Sequence, residues 1–130
     1  MRVIAGTYKG RRLQAPPGLD TRPTSDRVRE ALFSILGAPR VERARVLDLF
    51  AGSGAMGIEA LSRGAAEATF VDGAAPAIRA IGANLAAVGA DADAEVVRAD
   101  ARRFLGAASR RPRQYDLVFL DPPYLSLIHI

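Results

Sequence analysis

The chain contains no cysteine, which excludes disulfide frameworks, thiolate metal sites and a cysteine nucleophile. Its one histidine, His129, is the second residue from the end, an unpromising place for a metal ligand or a member of a catalytic triad. No apolar run approaches the roughly 18 residues that a membrane span requires. The opening Met1-Arg2-Val3-Ile4-Ala5-Gly6 lacks the long apolar region of a secretory signal. With 130 residues, 49% hydrophobic and 25% charged, the composition fits one ordinary globular domain and hardly two. The expectation is a soluble, cytoplasmic monomer without a metal or a membrane partner.

What is present is positive charge, unevenly placed. Residues 1–45 hold ten Lys and Arg against four acids, a net of +6, and residues 46–130 hold eight Arg against ten acids, a net of −2. A basic front on a mildly acidic core suits a polyanionic partner. An arginine-rich but merely solvated surface explains the charge equally well, so charge alone does not choose.

Residues 1–13 alternate loosely around Gly6 and Gly10 and predict a short hairpin carrying Lys9, Arg11 and Arg12. Ala15-Pro16-Pro17-Gly18 reads as a turn. Thr24 or Ser25 is placed to cap a helix over residues 26–36, with Val28, Ala31, Leu32, Ile35 and Leu36 as its apolar face and Gly37, Ala38 and Pro39 as its end. From Arg45 the texture changes. Strands are expected at 46–50, 68–72, 94–98 and 115–120, and helices at 55–63, 75–88 and 101–107, with Gly64 and Gly89 as helix stops. Arg110-Arg111-Pro112-Arg113 makes a basic loop. The order βαβαβαβ predicts an α/β fold, a parallel Rossmann-like sheet with helices on both faces. The expected division is a basic extension at 1–44, a core at 45–124 and a separate tail at 125–130.

Such sheets bind ligands beyond the carboxyl ends of their strands. Asp48, Asp72, Asp100 and Asp121 fall at or shortly after four successive strand ends, a regularity that unrelated surface aspartates rarely show. Gly52-Ser53-Gly54-Ala55-Met56-Gly57 matches GxGxxG, and Asp72 lies twenty positions after Gly52. That is the dinucleotide fingerprint, with glycines for a tight turn against a helix N-terminus and an acid for ribose hydroxyls. NAD and S-adenosylmethionine both carry an adenosine, so the spacing does not separate them. Asp48 does weigh on the choice. A carboxylate at the loop's entrance opposes a pyrophosphate but attracts the ammonium and sulfonium of S-adenosylmethionine. Asp48 can also simply brace the glycine turn through its amides, and the two roles are compatible.

Asp121-Pro122-Pro123-Tyr124 stands where the fourth strand should end. An exocyclic base amine is a weak nucleophile because its lone pair is delocalised into the ring. A carboxylate from Asp121 and the carbonyl of Pro122, both accepting from that amine, return electron density to nitrogen, and proline fixes the local backbone. Tyr124 offers a face for base stacking, worth ~1–3 kcal/mol for bases in general. A plain strand-end turn is the alternative for the motif in isolation. Beside the glycine loop, the catalytic reading is the stronger one.

Together these segments resemble the bacterial 16S ribosomal RNA guanine-N2 methyltransferases of the RsmD family. The likeness runs from Arg2 to Tyr124, through Arg2-Val3-Ile4-Ala5-Gly6, Lys9-Gly10-Arg11-Arg12-Leu13, the stretch Thr21-Arg22-Pro23-Thr24-Ser25-Asp26-Arg27-Val28-Arg29-Glu30-Ala31-Leu32-Phe33, the cofactor-loop sequence 46–60 and Asp-Pro-Pro-Tyr. The resemblance implies S-adenosyl-L-methionine as cofactor and ribosomal RNA, or the small-subunit particle, as partner. It implies that Asp48, Gly52 and Gly54 hold the methionine end, with Phe50 and Ser53 of the same loop against the cofactor. Asp72 then holds the ribose and Asp100 the adenine edge. Asp121, Pro122 and Tyr124 face the guanine. Arg22, Thr24 and Arg27 lie toward the RNA, and Lys9, Arg11 and Arg12 touch its phosphates.

Two departures stand out. Ala74 replaces the acidic or polar residue that the family usually has two positions after Asp72, which predicts a weaker grip on the cofactor. Residues 125–130 do not resemble the family's continuation, so the expectation is an incomplete core with an uncovered sheet edge. Three other readings stay open: an adenine-N6 methyltransferase, an inert or RNA-binding fragment, and an NAD-dependent oxidoreductase.

Overall fold

A computed structural model of the chain describes residues 1–16, 25–108 and 115–120. Four strands, β1 (Arg45–Leu49), β2 (Glu67–Asp72), β3 (Ala94–Arg98) and β4 (Leu117–Leu120), form one parallel sheet in the order β3-β2-β1-β4. Among the described residues five α-helices accompany it: α1 (Asp26–Leu36), α2 (Ala38–Val41), α3 (Ala55–Ser62), α4 (Ala75–Val88) and α5 (Ala101–Ala108). The chain winds outward from β1 through β2 to β3, then returns to lay β4 on β1's other side. This reversal puts the switch point of the strand order at β1 and β4, whose carboxyl ends are the usual ligand position in such sheets. The α/β class and the parallel order agree with the sequence pattern.

Strand alternation sorts the core into two layers. On one face Val46, Phe70 and Phe119 meet Ile58 of α3 and Ile81 and Leu85 of α4. On the other, Leu47, Leu49 and Val71 meet Ala101 of α5. Gly57 lets α3 lie close on the sheet, because a Cβ there would stand 2.3 Å from Cε2 of the buried Phe70 ring. Among the described residues no helix is long and apolar enough to cross a membrane.

The front of the chain joins the first of these layers, where Val3, Leu13, Phe33 and Val41 are buried with Val46 and Ile58. Residues 1–13 close as the expected hairpin: Arg2 bridges Arg12, and Val3 exchanges hydrogen bonds with the Arg11 carbonyl (2.9 Å) and the Gly10 N–H (2.8 Å). Ser25 caps α1, its Oγ accepting from the Val28 N–H at 3.2 Å.

The buried face of α1 is not the apolar one expected. Val28 is 54% and Ile35 82% exposed, Ala31 is exposed, and the residues that go inside are Arg29 and Phe33. Arg29 tolerates burial because acceptors surround it: the Arg2 carbonyl, Asp26 Oδ1 at 2.7 Å and Glu59 Oε1 at 3.9 Å. Phe33 is held by the Phe119 ring, 5.5 Å between centroids, and by the Arg63 guanidinium, 4.9 Å from its centroid. Nor do Ala38 and Pro39 finish the helical segment. Gly37, with φ of 79°, ends α1, and Pro39, compatible with a first helical turn, lies within the one-turn α2.

The clamp between the front and α3 is polar. Glu59 is fully buried, and its carboxylate accepts the Ile4 N–H at 2.8 Å, the Ala5 N–H at 3.2 Å and Arg63 Nε at 2.8 Å. One turn on, the Ser62 carbonyl accepts the Thr7 N–H at 2.8 Å, while Ser62 Oγ donates to the Ala5 carbonyl at 2.6 Å and accepts the Tyr8 N–H at 2.9 Å. Gly6 sits at the closest approach with φ of +88°, and a Cβ there would fall 1.9 Å from the Ser62 carbonyl oxygen.

Two stability predictions follow from this contact. Gly10 also has a positive φ, +83°, but a Cβ there would meet nothing within 4 Å, so the two glycines differ in available space. Gly10→Ala should cost about 1–2 kcal/mol for the left-handed backbone. Gly6→Ala should add about 1–3 kcal/mol or more of overpacking to that; equal urea midpoints for the two variants would contradict the close approach. The Asp26 carboxyl supplies the second. Burial alone would raise its pKa, but hydrogen bonds from the Arg2 N–H and Arg29, with the Arg29 charge, hold it below the ordinary value of 3.8. Its contribution is therefore present above pH 3.8 and lost as the pH falls through the lowered value. The stability gap between wild type and Asp26→Asn should be constant near neutrality and narrow in acid; a gap that widens in acid would reverse the sign.

Candidate functional site

β1 ends against the paired ends of its neighbours, Leu49 opposite Val71 on one side and Leu120 on the other. The chain then turns through residues 50–54 into α3. Phe50 takes a left-handed φ of 57°, uncommon outside glycine, and Gly52 and Gly54 follow with φ of 59° and 81°. The turn is pinned from below: the Ala51 N–H donates to the Val71 carbonyl at 3.0 Å, and the Gly54 N–H to the Ala51 carbonyl at 2.7 Å. Phe50 packs toward the α5 side of the sheet with Leu47 and Leu49.

Two carboxylates fix this loop from different directions. Asp48 is buried, one residue inside the end of β1 and on the side facing α3. Its Oδ2 accepts the Gly57 N–H of the first turn of α3 at 3.0 Å. Asp72, half-buried at the end of β2, accepts the Gly52 N–H on Oδ2 at 3.0 Å and the Ala74 N–H on Oδ1 at 2.9 Å. Each Asp72 oxygen keeps acceptor capacity beyond its one backbone donor. Ser53 is buried, and its Oγ accepts the Ala55 N–H at 3.3 Å at the start of α3.

The structure thus brings Asp48, Phe50, Gly52, Ser53, Gly54 and Asp72 together around one loop. Asp100 stands apart in role: it is exposed after β3, and its Oδ1 accepts the Arg102 and Arg103 N–H groups at 2.9 and 3.2 Å, capping α5. Lys9, Arg11 and Arg12 are exposed on the front hairpin, with Arg11 Nη1 donating to the Ala87 carbonyl of α4 at 3.4 Å. Arg27 is exposed on α1. Arg22, Thr24, Asp121, Pro122 and Tyr124 lie outside the described residues.

One residue of the loop's surroundings escaped the sequence reading. Asn84 is buried on the inward side of α4, where its Nδ2 donates to the Ser53 carbonyl at 2.8 Å and the Gln14 carbonyl at 2.9 Å. Its Oδ1 accepts the Gln14 N–H at 2.9 Å. The signal was available: an amide on the same helix face as Ala77, Ala80, Ile81, Leu85 and Val88 needs internal partners.

Comparison with known proteins adds ancestry to this geometry. The family model described as Conserved hypothetical protein 95 matches residues 1–128. YlbH of Bacillus subtilis (strain 168) is 49% identical over 124 residues, covering 95% of this chain and 67% of that protein. Ribosomal RNA small subunit methyltransferase D of Escherichia coli (strain K12) is 44% identical, covering 95% of this chain and 60% of its own length. This chain therefore spans 67% and 60% of the lengths of these two relatives. Among solved structures, that of SMU.776 complexed with SAH superposes with a TM-score of 0.60 at 31% identity, over 75% of this chain and 25% of that one.

The bracing role of Asp48 is open to a direct check. Asp48→Ala leaves the Gly57 N–H without its acceptor and should cost about 1–3 kcal/mol. Asp48→Asn keeps an acceptor oxygen and should recover most of it. Chemical denaturation of both variants measures this, and equal losses would show that the negative charge, not the hydrogen bond, supports the loop.

Proposed function

From the premise that the chain belongs to the Conserved hypothetical protein 95 family, the RsmD-type rRNA methyltransferases, we propose that it is the cofactor-binding part of an enzyme methylating the N2 amine of a guanine in small-subunit ribosomal RNA. The observation that carries the choice of cofactor is the Asp48 carboxylate on the Gly57 N–H. In a dinucleotide site the ligand's pyrophosphate takes the helix N-terminus. Here the first turn of α3 already has an anion, supplied from within β1. Such a site repels phosphate and attracts a cationic ligand, which suits S-adenosyl-L-methionine and not NAD.

Bound there, S-adenosyl-L-methionine supplies a methyl group activated by its sulfonium. Residues 50–54 receive the methionine end, with Asp48 contributing negative charge at the loop's base. Asp72, oriented by its two backbone donors, accepts from the ribose hydroxyls. Asp100 borders the adenine. Asp121 and the Pro122 carbonyl accept hydrogen bonds from the guanine amine and raise the electron density on its nitrogen, while Tyr124 stacks on the base. Transfer held in this geometry would form the N–C bond as the S–C bond breaks, leaving S-adenosylhomocysteine, and the proton lost from the amine would pass to water. Positioning and electrostatics account for most of the acceleration in such a transfer. The base must leave its helical stack to reach this pocket. Lys9, Arg11, Arg12, Arg22, Thr24 and Arg27 provide the contacts to RNA, mostly to phosphates, so binding should weaken steeply with salt.

Calorimetric titration with S-adenosylhomocysteine tests the cofactor, and nucleoside mass analysis after reaction with 16S rRNA tests the product. Saturable binding and N2-methylguanosine are expected. Asp72→Ala should weaken S-adenosylhomocysteine by about tenfold to a hundredfold, as loss of hydrogen bonds to a charged group implies. Asp121→Ala should leave that affinity intact and nearly abolish transfer. Methyladenosine as the product, or preferential binding of NAD(H), would overturn the assignment.

A further inference from the structure

The Asn84 side chain lies between two parts of the proposed enzyme that no backbone bond connects directly. Its amide group holds Gln14, at the end of the basic front, by two hydrogen bonds of 2.9 Å, and reaches the Ser53 carbonyl with its remaining N–H at 2.8 Å. The Ser53 carbonyl belongs to the peptide unit whose N–H is that of Gly54, and that N–H is fixed on the Ala51 carbonyl at 2.7 Å. The peptide at the centre of the glycine loop is therefore tied at both ends, one end through Asn84 to the front. Arg11 makes a parallel tie three residues along α4, at the Ala87 carbonyl. Leu13 before Gln14 and Pro16 after it are buried, which anchors this exposed stretch of the front on both sides.

We propose that Asn84 is a positioning residue that couples the two substrates: cofactor in the glycine loop sets the Ser53 carbonyl, Asn84 relays that setting to Gln14, and the basic front thereby takes its RNA-binding arrangement. This inference rests on the function proposed above. Linkage requires the coupling to be reciprocal, so RNA must tighten cofactor binding by the same factor. Gln14 participates only through its backbone, which makes its side chain irrelevant to the relay.

The test is a binding cycle on the full chain: affinity for in-vitro transcribed 16S rRNA with and without saturating S-adenosylhomocysteine, by fluorescence anisotropy. In wild type, S-adenosylhomocysteine should tighten RNA binding on the order of fivefold or more, within the usual range for such couplings. In Asn84→Ala and in Asn84→Asp, each ligand should still bind alone while the ratio falls to near one. Asn84→Asp retains the acceptor for the Gln14 N–H and the side-chain shape but loses both donors, so it reports on the relay even where Asn84→Ala fails to fold. Gln14→Ala should keep the wild-type ratio. A ratio of one in wild type, or an undiminished ratio in Asn84→Asp, overturns the proposal while leaving the enzymatic reading standing. Absence of S-adenosylhomocysteine binding in wild type overturns both.

Discussion

The buried carboxylate of Glu59 is the contact on which the arrangement of the chain depends. A charged group without solvent is costly unless its oxygens are fully engaged. Glu59 meets that condition with two backbone N–H groups of the front, the Arg63 guanidinium and the nearby Arg29. Removing a partner from such a group exposes the desolvation cost, which is why the front, α1 and α3 hold their relation to one another. The contact is possible only because Gly6 presents no side chain to Ser62. An apolar contact of similar area would tolerate sliding; three directed hydrogen bonds and an ion pair to one carboxylate do not.

The consequence reaches the glycine loop. α3 is held from outside by the front at Glu59 and Ser62, and from inside by Gly57 lying on Phe70 and accepting no bulk there. Its N-terminus is thus fixed relative to the sheet, and the loop of residues 50–54 has to connect two rigid points, Leu49 and Ala55. That constraint explains the left-handed Phe50 better than any property of phenylalanine does. The polar atoms around the loop, from Asp48, Asp72 and Asn84, then choose one loop conformation among those the glycines allow.

Much of this was legible in the sequence. Strand runs such as Val46-Leu47-Asp48-Leu49, helix stops at Gly64 and Gly89, and the GxGxxG spacing are local signals, and each marks the element it predicts. Asp48 and Asp72 were legible as residues beside the glycine loop because they stand at the ends of neighbouring strands in a parallel sheet. The face of α1 was not readable. Its apolar positions form a helical stripe, but beside the local Asp26 two of the partners that draw Arg29 inward lie 27 positions before it in Arg2 and 30 after it in Glu59, beyond any local period. Asn84 escaped for the same reason, its partners lying 31 and 70 positions away. Local patterns reveal elements; pairings between distant polar groups decide which faces of those elements are buried.

The glycine loop shows why spacing alone is a poor guide to ligand chemistry. Glycines make room, and a helix N-terminus presents N–H groups, whatever the ligand. On the reading proposed for this loop, the sign of the charge that the site accepts is set by a residue outside the glycine pattern, Asp48, six positions before Gly54. With an apolar residue in place of Asp48, the first turn of α3 would favour an external anion. With Asp48 on the Gly57 N–H, one donor of that first turn is answered internally. Two proteins sharing GxGxxG and the downstream acid can therefore recognise oppositely charged ligands, and the strand leading into the loop is where they differ.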